Sequence, residues 1–321
     1  MRALAAAGAA AALAVAAAGC SGRASSATST GPLEKPDIVI GAMPAIGSAA
    51  IYIAQDEGLF KQAGLNVKVV SLGAPQTVVP ELERGAIDVL EYEWTTLIES
   101  MAGGSAKLHA IASAQALGPG SHEIVVPPHS GITSPAQLRG KTIGVQSLNG
   151  LDTLLVDSAL ALYGITPAQV RLVPVPFQEM QQALAGHQVA AVEPAEPFVT
   201  TLENGPGATT LFDMDQGSML GFPVAGYTVT DQFATKYPKT TAALARVLGE
   251  AQAIASTNRA AVERAIAQAA HVSPAVAALA ALGTFPANVD PVELQRLADL
   301  MLSDHEISQK FPATRLTRPI G

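Results

Sequence analysis

The 321-residue sequence contains a single cysteine, Cys20, and few aromatic or charged residues. One cysteine excludes an internal disulfide and any metal site built from several cysteines, so core packing alone must hold the fold. Aromatic residues make up 4% and charged residues 14% of the chain, whereas 49% is hydrophobic. This balance is typical of a globular protein rather than a disordered one, and the length suffices for two domains of ordinary size.

Basic residues are also scarce. The formal net charge is -8, and the sequence has no run of lysine or arginine. Proteins that bind nucleic acids usually concentrate positive charge to neutralise phosphates, so we expect no nucleic-acid partner. No histidine pair has a spacing typical of a metal site, and we therefore expect no metal and no cofactor. We interpret each of the six histidines as a surface or core residue: His109, His122, His129, His187, His271 and His305.

The first 19 residues have the character of an export signal. Met1 and Arg2 begin the chain, an alanine-rich apolar stretch follows, and small residues stand immediately before Cys20. This arrangement resembles a bacterial lipoprotein signal, in which Cys20 is acylated and becomes the first residue of the mature chain. A signal peptide cut elsewhere, a short membrane anchor and a buried core cysteine are the competing interpretations.

Residues 20–36 are rich in serine, threonine, glycine and alanine, which predicts a flexible tether. A tether after an acylated cysteine indicates an exported protein held by lipid to the outer face of the cell membrane.

From Asp37 onward, short β-rich runs alternate with helical patterns, which is typical of βαβ units with a mainly parallel sheet. The predicted strands cover residues 37–42, 66–72, 86–90, 107–113, 122–127, 141–146, 170–175 and 189–192. After Thr230 the pattern becomes largely helical, with long segments near 239–257, 258–270 and 290–303.

Several helix signals are local. Ser134, Thr166 and Asp290 each precede a proline and are followed three residues later by Gln or Glu, which predicts capping boxes. Pro80 predicts a kink or a break in the helix expected over residues 76–84.

Residues 50–67 read AIYIAQDEGLFKQAGLNV. This segment resembles a characteristic stretch of the nitrate, sulfonate, taurine and thiamine-precursor (NMT1/THI5-like) binding proteins of ABC importers. Weaker matches follow in the same order at residues 82–88, 131–144, 163–165, 183–186, 196–198 and 237–238. The resemblance thus extends over nearly all of the chain after the tether.

The resemblance implies an α/β, two-lobed type-II periplasmic binding-protein fold, in which each lobe is a mainly parallel sheet flanked by helices. Lobe one then comprises residues 37–120 and 222–321, and lobe two residues 121–221. A ligand cleft lies between the lobes, and they close over it by a hinge motion. The resemblance also implies a small-molecule ligand, an ABC permease and its ATPase as partners, and we expect a monomer.

In open α/β sheets, ligands bind beyond the carboxyl ends of the strands, so the loops that follow the predicted strands are candidate binding segments. Glycine and serine in these loops allow backbone N–H groups to approach a polar ligand closely. The candidate ligand-binding residues are Met43, Ile46, Gly47, Gly73, Gln76, Glu91, Glu93, Trp94, Ser147, Asn149, Glu193 and Glu196.

Two interpretations of the segment from Glu91 to Trp94 stay open. In the first, Trp94 stacks on a flat ligand while a carboxylate accepts hydrogen bonds from the ligand's N–H groups. In the second, the two glutamates favour the N-terminus of the following helix, and Trp94 belongs to the core. Ser147 and Asn149 likewise either bind ligand or act as caps and turn formers.

The candidate loops contain four glutamates but no lysine or arginine. We therefore expect a neutral or cationic nitrogenous ligand, such as a thiamine-precursor-like pyrimidine. A sulfonate-, nitrate- or taurine-type anion is the alternative ligand, because backbone amides bind anions without a cationic side chain. Two further functions stay open at this point: an enzyme on the same fold, and a tethered sensor that meets no permease.

Overall fold

The structure is a computed structural model that describes residues 32–72 and 75–318, without the side chains of residues 75 and 76. Several predicted features lie outside the described residues: the signal segment 1–19, Cys20, most of the tether, Gly73 and the side chain of Gln76. No helix in the described ranges is long and apolar enough to cross a membrane.

Ten β-strands in the described residues form two five-stranded sheets. The strands are β1 (Asp37–Ala42), β2 (Asn66–Ser71), β3 (Val89–Glu93), β4 (Leu108–Ala116), β5 (Glu123–Val126), β6 (Thr142–Val145), β7 (Arg171–Pro174), β8 (Ala191–Val192), β9 (Thr209–Asp213) and β10 (Pro223–Thr230). The strand orders are β2-β1-β3-β10-β4 and β7-β6-β8-β5-β9. One strand in each sheet, β10 or β5, runs antiparallel to both of its neighbours. The prediction of mainly parallel sheets is confirmed.

Helices flank both sheets. In the described residues they are α1 (Ala49–Asp56), α2 (Leu59–Gln62), α3 (Pro75–Glu83), α4 (Trp94–Ala102), α5 (Leu151–Ala161), α6 (Met180–Ala185), α7 (Phe198–Asn204), α8 (Asp231–Lys236), α9 (Pro238–Thr257), α10 (Arg259–Ala269), α11 (Pro274–Leu279), α12 (Pro291–Ser303) and α13 (Thr314–Thr317). Around the first sheet, α1 packs on α9 and α10, and α4 packs on α12 and β10. We call the first sheet with its helices lobe one, and the second sheet with its helices lobe two.

The predicted capping signals form, but two of them begin only short turns. Ser134 and Thr166 complete capping boxes that start 3-10 turns, whereas the Asp290 side chain accepts N–H groups of the first turn of α12. The helix is not broken at Pro80, since α3 continues through this residue. Pro80 lies beyond the first turn of α3, so its missing N–H removes one intrahelical hydrogen bond.

Two chain segments, 117–122 and 214–222, connect the lobes. The Leu117 N–H donates to the Phe222 carbonyl at 2.8 Å. A third stretch of chain, at Thr284, pairs with the end of β4 directly before segment 117–122. Ala116 and Thr284 exchange two backbone hydrogen bonds of 3.0 Å. A Cβ on Gly118 would lie 2.8 Å from the Gly283 Cα, so glycine allows the backbones to approach this closely.

The last residues of the predicted tether are attached to lobe one. The Glu34 carboxylate accepts the N–H groups of Lys239 and Thr240 at 3.2 and 2.9 Å, at the start of α9. The Lys35 ammonium lies 2.7 Å from the Asp88 carboxylate. The folded part of the chain therefore begins before Asp37.

Trp94, the single tryptophan, is part of the core of lobe one. Its side chain is 1% exposed and lies on the backbone of β10 at Gly226. A Cβ at residue 226 would come within 1.8 Å of the indole ring. The contact therefore requires glycine at this position of β10.

The substitution Gly226→Ala should lower the free energy of unfolding by about 1–3 kcal/mol, because the added methyl group forces the indole ring or the strand to move. Urea unfolding measures the change. Gly249→Ala, in the middle of α9 where a Cβ meets nothing within 4 Å, is the matched control. It should raise the free energy of unfolding by roughly 0.5–1 kcal/mol. Similar effects of the two substitutions would contradict the proposed packing.

Candidate ligand-binding site

Glu91 of β3 is buried next to the loop that follows β1. The residue is 1% exposed, and its Oε2 accepts the Met43 N–H at 2.9 Å, while Oε1 has no partner. A Cβ on Gly47 would lie 2.5 Å from Oε1, so residue 47 must be glycine for the carboxyl group to stay in place. Burial raises the pKa of Glu91 to about 8, against the opposing effect of the Met43 hydrogen bond.

Three more buried carboxyl groups lie near Glu91. Glu93 ends β3, Asp152 stands in the first turn of α5, and Glu193 directly follows β8. We call these four residues the carboxyl cluster. Burial raises the pKa of Glu93, Asp152 and Glu193, and the charge of Asp152 raises that of Glu93 and Glu193 further. Within the described ranges, no group of three or more His, Cys, Asp or Glu residues is arranged to hold a metal ion.

The members from lobe two are held by hydrogen bonds. Asp152 Oδ2 accepts the N–H and the O–H of Ser147, both at 3.0 Å. His122 Nδ1 lies 2.8 Å from Glu193 Oε1, and burial lowers the pKa of His122 to about 4. The imidazole is therefore neutral at pH 7, and its contact with Glu193 is a hydrogen bond rather than an ion pair.

Glu196 is buried nearby but has its hydrogen bonds satisfied. Its Oε2 accepts the Thr200 N–H at 3.0 Å, and its Oε1 accepts the Thr200 hydroxyl at 2.8 Å and the Ala281 N–H at 3.0 Å. Burial raises the pKa of Glu196. The residue thus connects lobe two to the segment at Ala281.

A cavity of about 20 Å³ lies between the lobes. Its lining residues are Met43, Ala45, Gly47, Glu91, Glu93, Gln115, His122, Phe177, Ala195, Glu196, Val224 and Ala225. This volume holds about one water molecule. A larger solute therefore enters only when the lobes separate, as in hinge closure around a ligand.

Five of the predicted binding residues line this cavity: Met43, Gly47, Glu91, Glu93 and Glu196. Glu193 lies beside it, hydrogen-bonded to His122. Ile46 is buried in the core and does not line the cavity. The Gly47 carbonyl accepts a hydrogen bond from the Tyr227 hydroxyl at 2.9 Å.

Phe177, not Trp94, is the aromatic side chain of the cavity wall. Phe177 stacks on Phe198 with ring centroids 5.3 Å apart. Trp94 lines a separate cavity of about 150 Å³ that includes Pro223 and Asn288. Of the two interpretations of Trp94, its position matches packing in the core.

Ser147 and Asn149 line a larger groove of about 1090 Å³, with residues of α3 and α4 on its opposite side. The structure therefore places these two predicted residues away from the small cavity. Ser147 still connects the groove to the carboxyl cluster through its hydrogen bonds to Asp152.

Sequence reasoning missed several residues of the site, among them His122, Asp152 and Phe177. His122 directly precedes β5. Because β5 runs antiparallel to β8, the start of β5 lies beside the carboxyl end of β8. Strand direction is not visible in a hydrophobic pattern, so a lone histidine gave no signal. Asp152 lies just after the predicted strand at 141–146, and Phe177 just after the one at 170–175. Both positions satisfy the rule that ligands bind beyond strand ends.

Comparison with protein families gives one match. A family model described as NMT1/THI5 like matches residues 46–260, which is more than half of the chain and includes parts of both lobes. No curated protein sequence matches.

Many solved structures share the fold, and three of them are described below. The alkanesulfonate-binding protein SsuA from Xanthomonas axonopodis pv. citri, bound to MOPS, has a TM-score of 0.73 and 20% identity, covering 89% of this chain and 99% of SsuA. The ligand-binding component of an ABC-type import system from Staphylococcus aureus, with zinc bound, has a TM-score of 0.75 and 16% identity, covering 89% and 97%. The desulfurization enzyme DSZB has a TM-score of 0.66 and 16% identity, covering 89% and 97%. The two-lobed periplasmic binding-protein fold is confirmed.

The substitution Glu91→Gln should weaken the pH dependence of stability. The folded-state pKa of about 8 lies above the ordinary value of 4.5, so the protonated carboxyl group stabilises the fold fully below about pH 4.5. That contribution is lost as the pH rises through about 8. Urea unfolding at pH 5 and pH 8 should therefore show a larger decrease in the free energy of unfolding for the wild type than for the variant.

Glu57→Gln, at an exposed carboxyl group after α1, should behave as wild type. Equal decreases in wild type and Glu91→Gln would contradict a buried protonated Glu91.

Proposed function

Because this chain belongs to the NMT1/THI5-like family, we propose that it is an extracytoplasmic solute-binding lipoprotein. It captures a small molecule by closure of its lobes and delivers that molecule to an ABC permease and its ATPase. The observation that carries the proposal is the cavity between the lobes, whose polar side chains come from both lobes. A solute that contacts both lobes favours the closed arrangement, because it binds that arrangement more tightly than the open one.

The proposal includes a membrane anchor. Residues 1–19 direct export, Cys20 carries the lipid, and the residues before Glu34 form the tether. The lipid keeps the protein at the outer face of the cell membrane. The monomer is the proposed form.

The ligand of the proposal is nitrogenous and neutral or cationic, such as a thiamine-precursor-like pyrimidine. Glu91 and Glu93 supply acceptors for its N–H groups, and the Phe177 ring supplies a flat apolar wall. No lysine or arginine is among the residues that line the cavity in the described chain.

An anion of the sulfonate, nitrate or taurine type is the second candidate ligand. SsuA, which has the same fold, is an alkanesulfonate-binding protein. Backbone N–H groups bind anions without cationic side chains, as at the start of a helix. The buried carboxyl groups at the cavity favour the nitrogenous ligand over this candidate.

An enzyme is the competing class of function, because the desulfurization enzyme DSZB has the same fold. The single cysteine of the chain is Cys20, ahead of the folded lobes, so the cavity has no thiol nucleophile. The proposal is therefore a binding protein and not a catalyst. Co-purification of a permease and an ATPase with the membrane-bound chain separates the importer role from a tethered sensor.

A thermal-shift screen of the purified protein against pyrimidines, polyamines, flavins, taurine, alkanesulfonates and nitrate tests the proposal. A ligand at 100 times its dissociation constant should add about 2.7 kcal/mol to the free energy of unfolding. We expect stabilisation by nitrogenous compounds. Stabilisation by anions alone would replace the nitrogenous ligand with the second candidate, and no stabilisation by any solute would contradict the binding function.

The substitution Phe177→Leu should weaken binding of an aromatic compound from that screen by about 2- to 10-fold, since an aromatic pair contributes about 0.5–1.5 kcal/mol beyond burial. Isothermal titration calorimetry measures the dissociation constant. Phe233→Leu is the matched control, because Phe233 is also buried but lies in α8 and packs on Tyr237, away from the cavity. Equal dissociation constants for Phe177→Leu and the control would remove Phe177 from the binding site.

A further inference from the structure

Four buried oxygen atoms where the lobes meet have no hydrogen-bond partner: Glu91 Oε1, Asp152 Oδ1, Glu193 Oε2 and Thr95 Oγ1. The four residues are each at most 1% exposed. Buried polar atoms are nearly always paired in native proteins, because an unpaired one costs free energy. Three of the four belong to carboxyl groups, which only accept hydrogen bonds when they are ionised, so a group that satisfies the ionised carboxylates must be a donor. The Thr95 hydroxyl can accept from such a group as well.

Thr95 provides evidence that is independent of the carboxyl groups. It lies in the first turn of α4 on lobe one and faces Gly150, directly before α5 on lobe two. Its Oγ1 would be 3.2 Å from a Cβ at Gly150. Its hydroxyl group is thus directed across the lobe contact, to the end of α5 that carries Asp152.

No positive charge balances the carboxyl cluster. The charges that raise the pKa values of its members belong to other carboxyl groups, and no described lysine or arginine is among them. The other titratable groups around the cluster are Tyr52 of α1, Tyr92 of β3, Tyr227 of β10, His122 and Glu306. Burial raises the pKa of each tyrosine, raises that of Glu306 to about 8 and lowers that of His122 to about 4. At pH 7 these neighbours therefore supply no cation.

Without a bound cation, the cluster must hold protons. The carboxyl groups of Asp152 and Glu193 are close neighbours, since the charge of Asp152 raises the pKa of Glu193, and two carboxyl groups that share a buried site do not both ionise freely. Two ionised carboxylates at this separation in a buried site would repel each other strongly.

We propose that the carboxyl cluster recognises a compact organic cation with several N–H donors, such as an amidinium, guanidinium or alkylammonium ion, and that the cation binds in exchange for protons released to solvent. This inference rests on the proposed function and specifies the charge of the solute. The donors of the cation pair with the unpartnered oxygens, and its charge replaces that of the departing protons.

The exchange has a defined dependence on pH. Protons compete with the cation at low pH, so affinity for the cation rises as the pH rises through the range in which the cluster loses protons. Release of one proton per cation corresponds to about a tenfold gain in affinity per pH unit. We expect an increase of at least about tenfold from pH 6 to pH 8.

Other classes of solute satisfy the observations less well. An anion adds negative charge to oxygens that already lack donors. A neutral heterocycle supplies donors but no positive charge to balance the carboxyl groups.

The test is isothermal titration calorimetry with guanidinium, benzamidinium and 1,4-diaminobutane as cationic probes. Benzamide is the neutral probe of the same shape as benzamidinium, and benzenesulfonate is the anionic one. Titration at one pH in two buffers that are not primary amines, such as phosphate and bicine, counts the protons released, because the two buffers differ in ionisation enthalpy. At least one cation should bind with proton release, and benzamidinium should bind at least tenfold more tightly than benzamide.

Variants show whether the cluster is responsible. Asp152→Asn and Glu193→Gln should each reduce proton release and flatten the pH dependence of cation affinity. Two variants are used so that failure of one to fold does not end the test. Asp157→Asn is the matched control, because Asp157 lies on the same helix α5 and faces Asp304 rather than the cluster. It should leave proton release at the wild-type value.

Several outcomes would overturn the inference. They are the absence of binding by all three cations, binding without proton release, equal affinity for benzamide and benzamidinium, and proton release that survives in both cluster variants. Tight binding of benzenesulfonate without any cation binding would also overturn it, yet leave the solute-binding function in place. Failure of that function itself would appear as a lack of any ligand in the thermal-shift screen.

Discussion

Four carboxyl groups are buried where the two lobes meet, and in the described part of the chain no lysine or arginine is in contact with them. An ionised carboxylate in such a place is costly unless it is paired and hydrogen-bonded, so the groups take up protons instead. In the proposed closure, bringing the lobes together and neutralising the carboxyl groups are therefore coupled. Under that proposal, a change in the charge at this contact also changes the balance between open and closed arrangements.

The surrounding backbone supports this arrangement at specific points. Gly47 leaves room for the Glu91 carboxyl group, and the Met43 N–H holds its other oxygen. On the opposite lobe, Ser147 holds Asp152 and His122 holds Glu193. The contacts that hold these carboxyl groups thus lie within each lobe, which is the preorganisation that the proposed binding site requires.

The sequence predicted the fold well because its signals are local. The eight predicted strands form, and the long helices near 239–257, 258–270 and 290–303 correspond to α9, α10 and α12. The site was only partly predictable. Glu91 and Glu93 were recognised because they follow an apolar run, whereas His122 reaches the site through the reversed direction of β5. The placement of Trp94 depends on a close contact with Gly226, which is far away in the sequence and leaves no local pattern.

Strand order has a consequence for how the chain is made. β10 lies between β3 and β4, but the whole second sheet stands between β4 and β10 in the sequence. During synthesis, β3 and β4 have no common neighbour until residue 223 is available, and their unpaired edges stay open to wrong partners. Lobe two, whose strands all come from the continuous segment 123–213, has no such requirement. A chain that stops before β10 therefore carries all the strands of the second sheet but an incomplete first one.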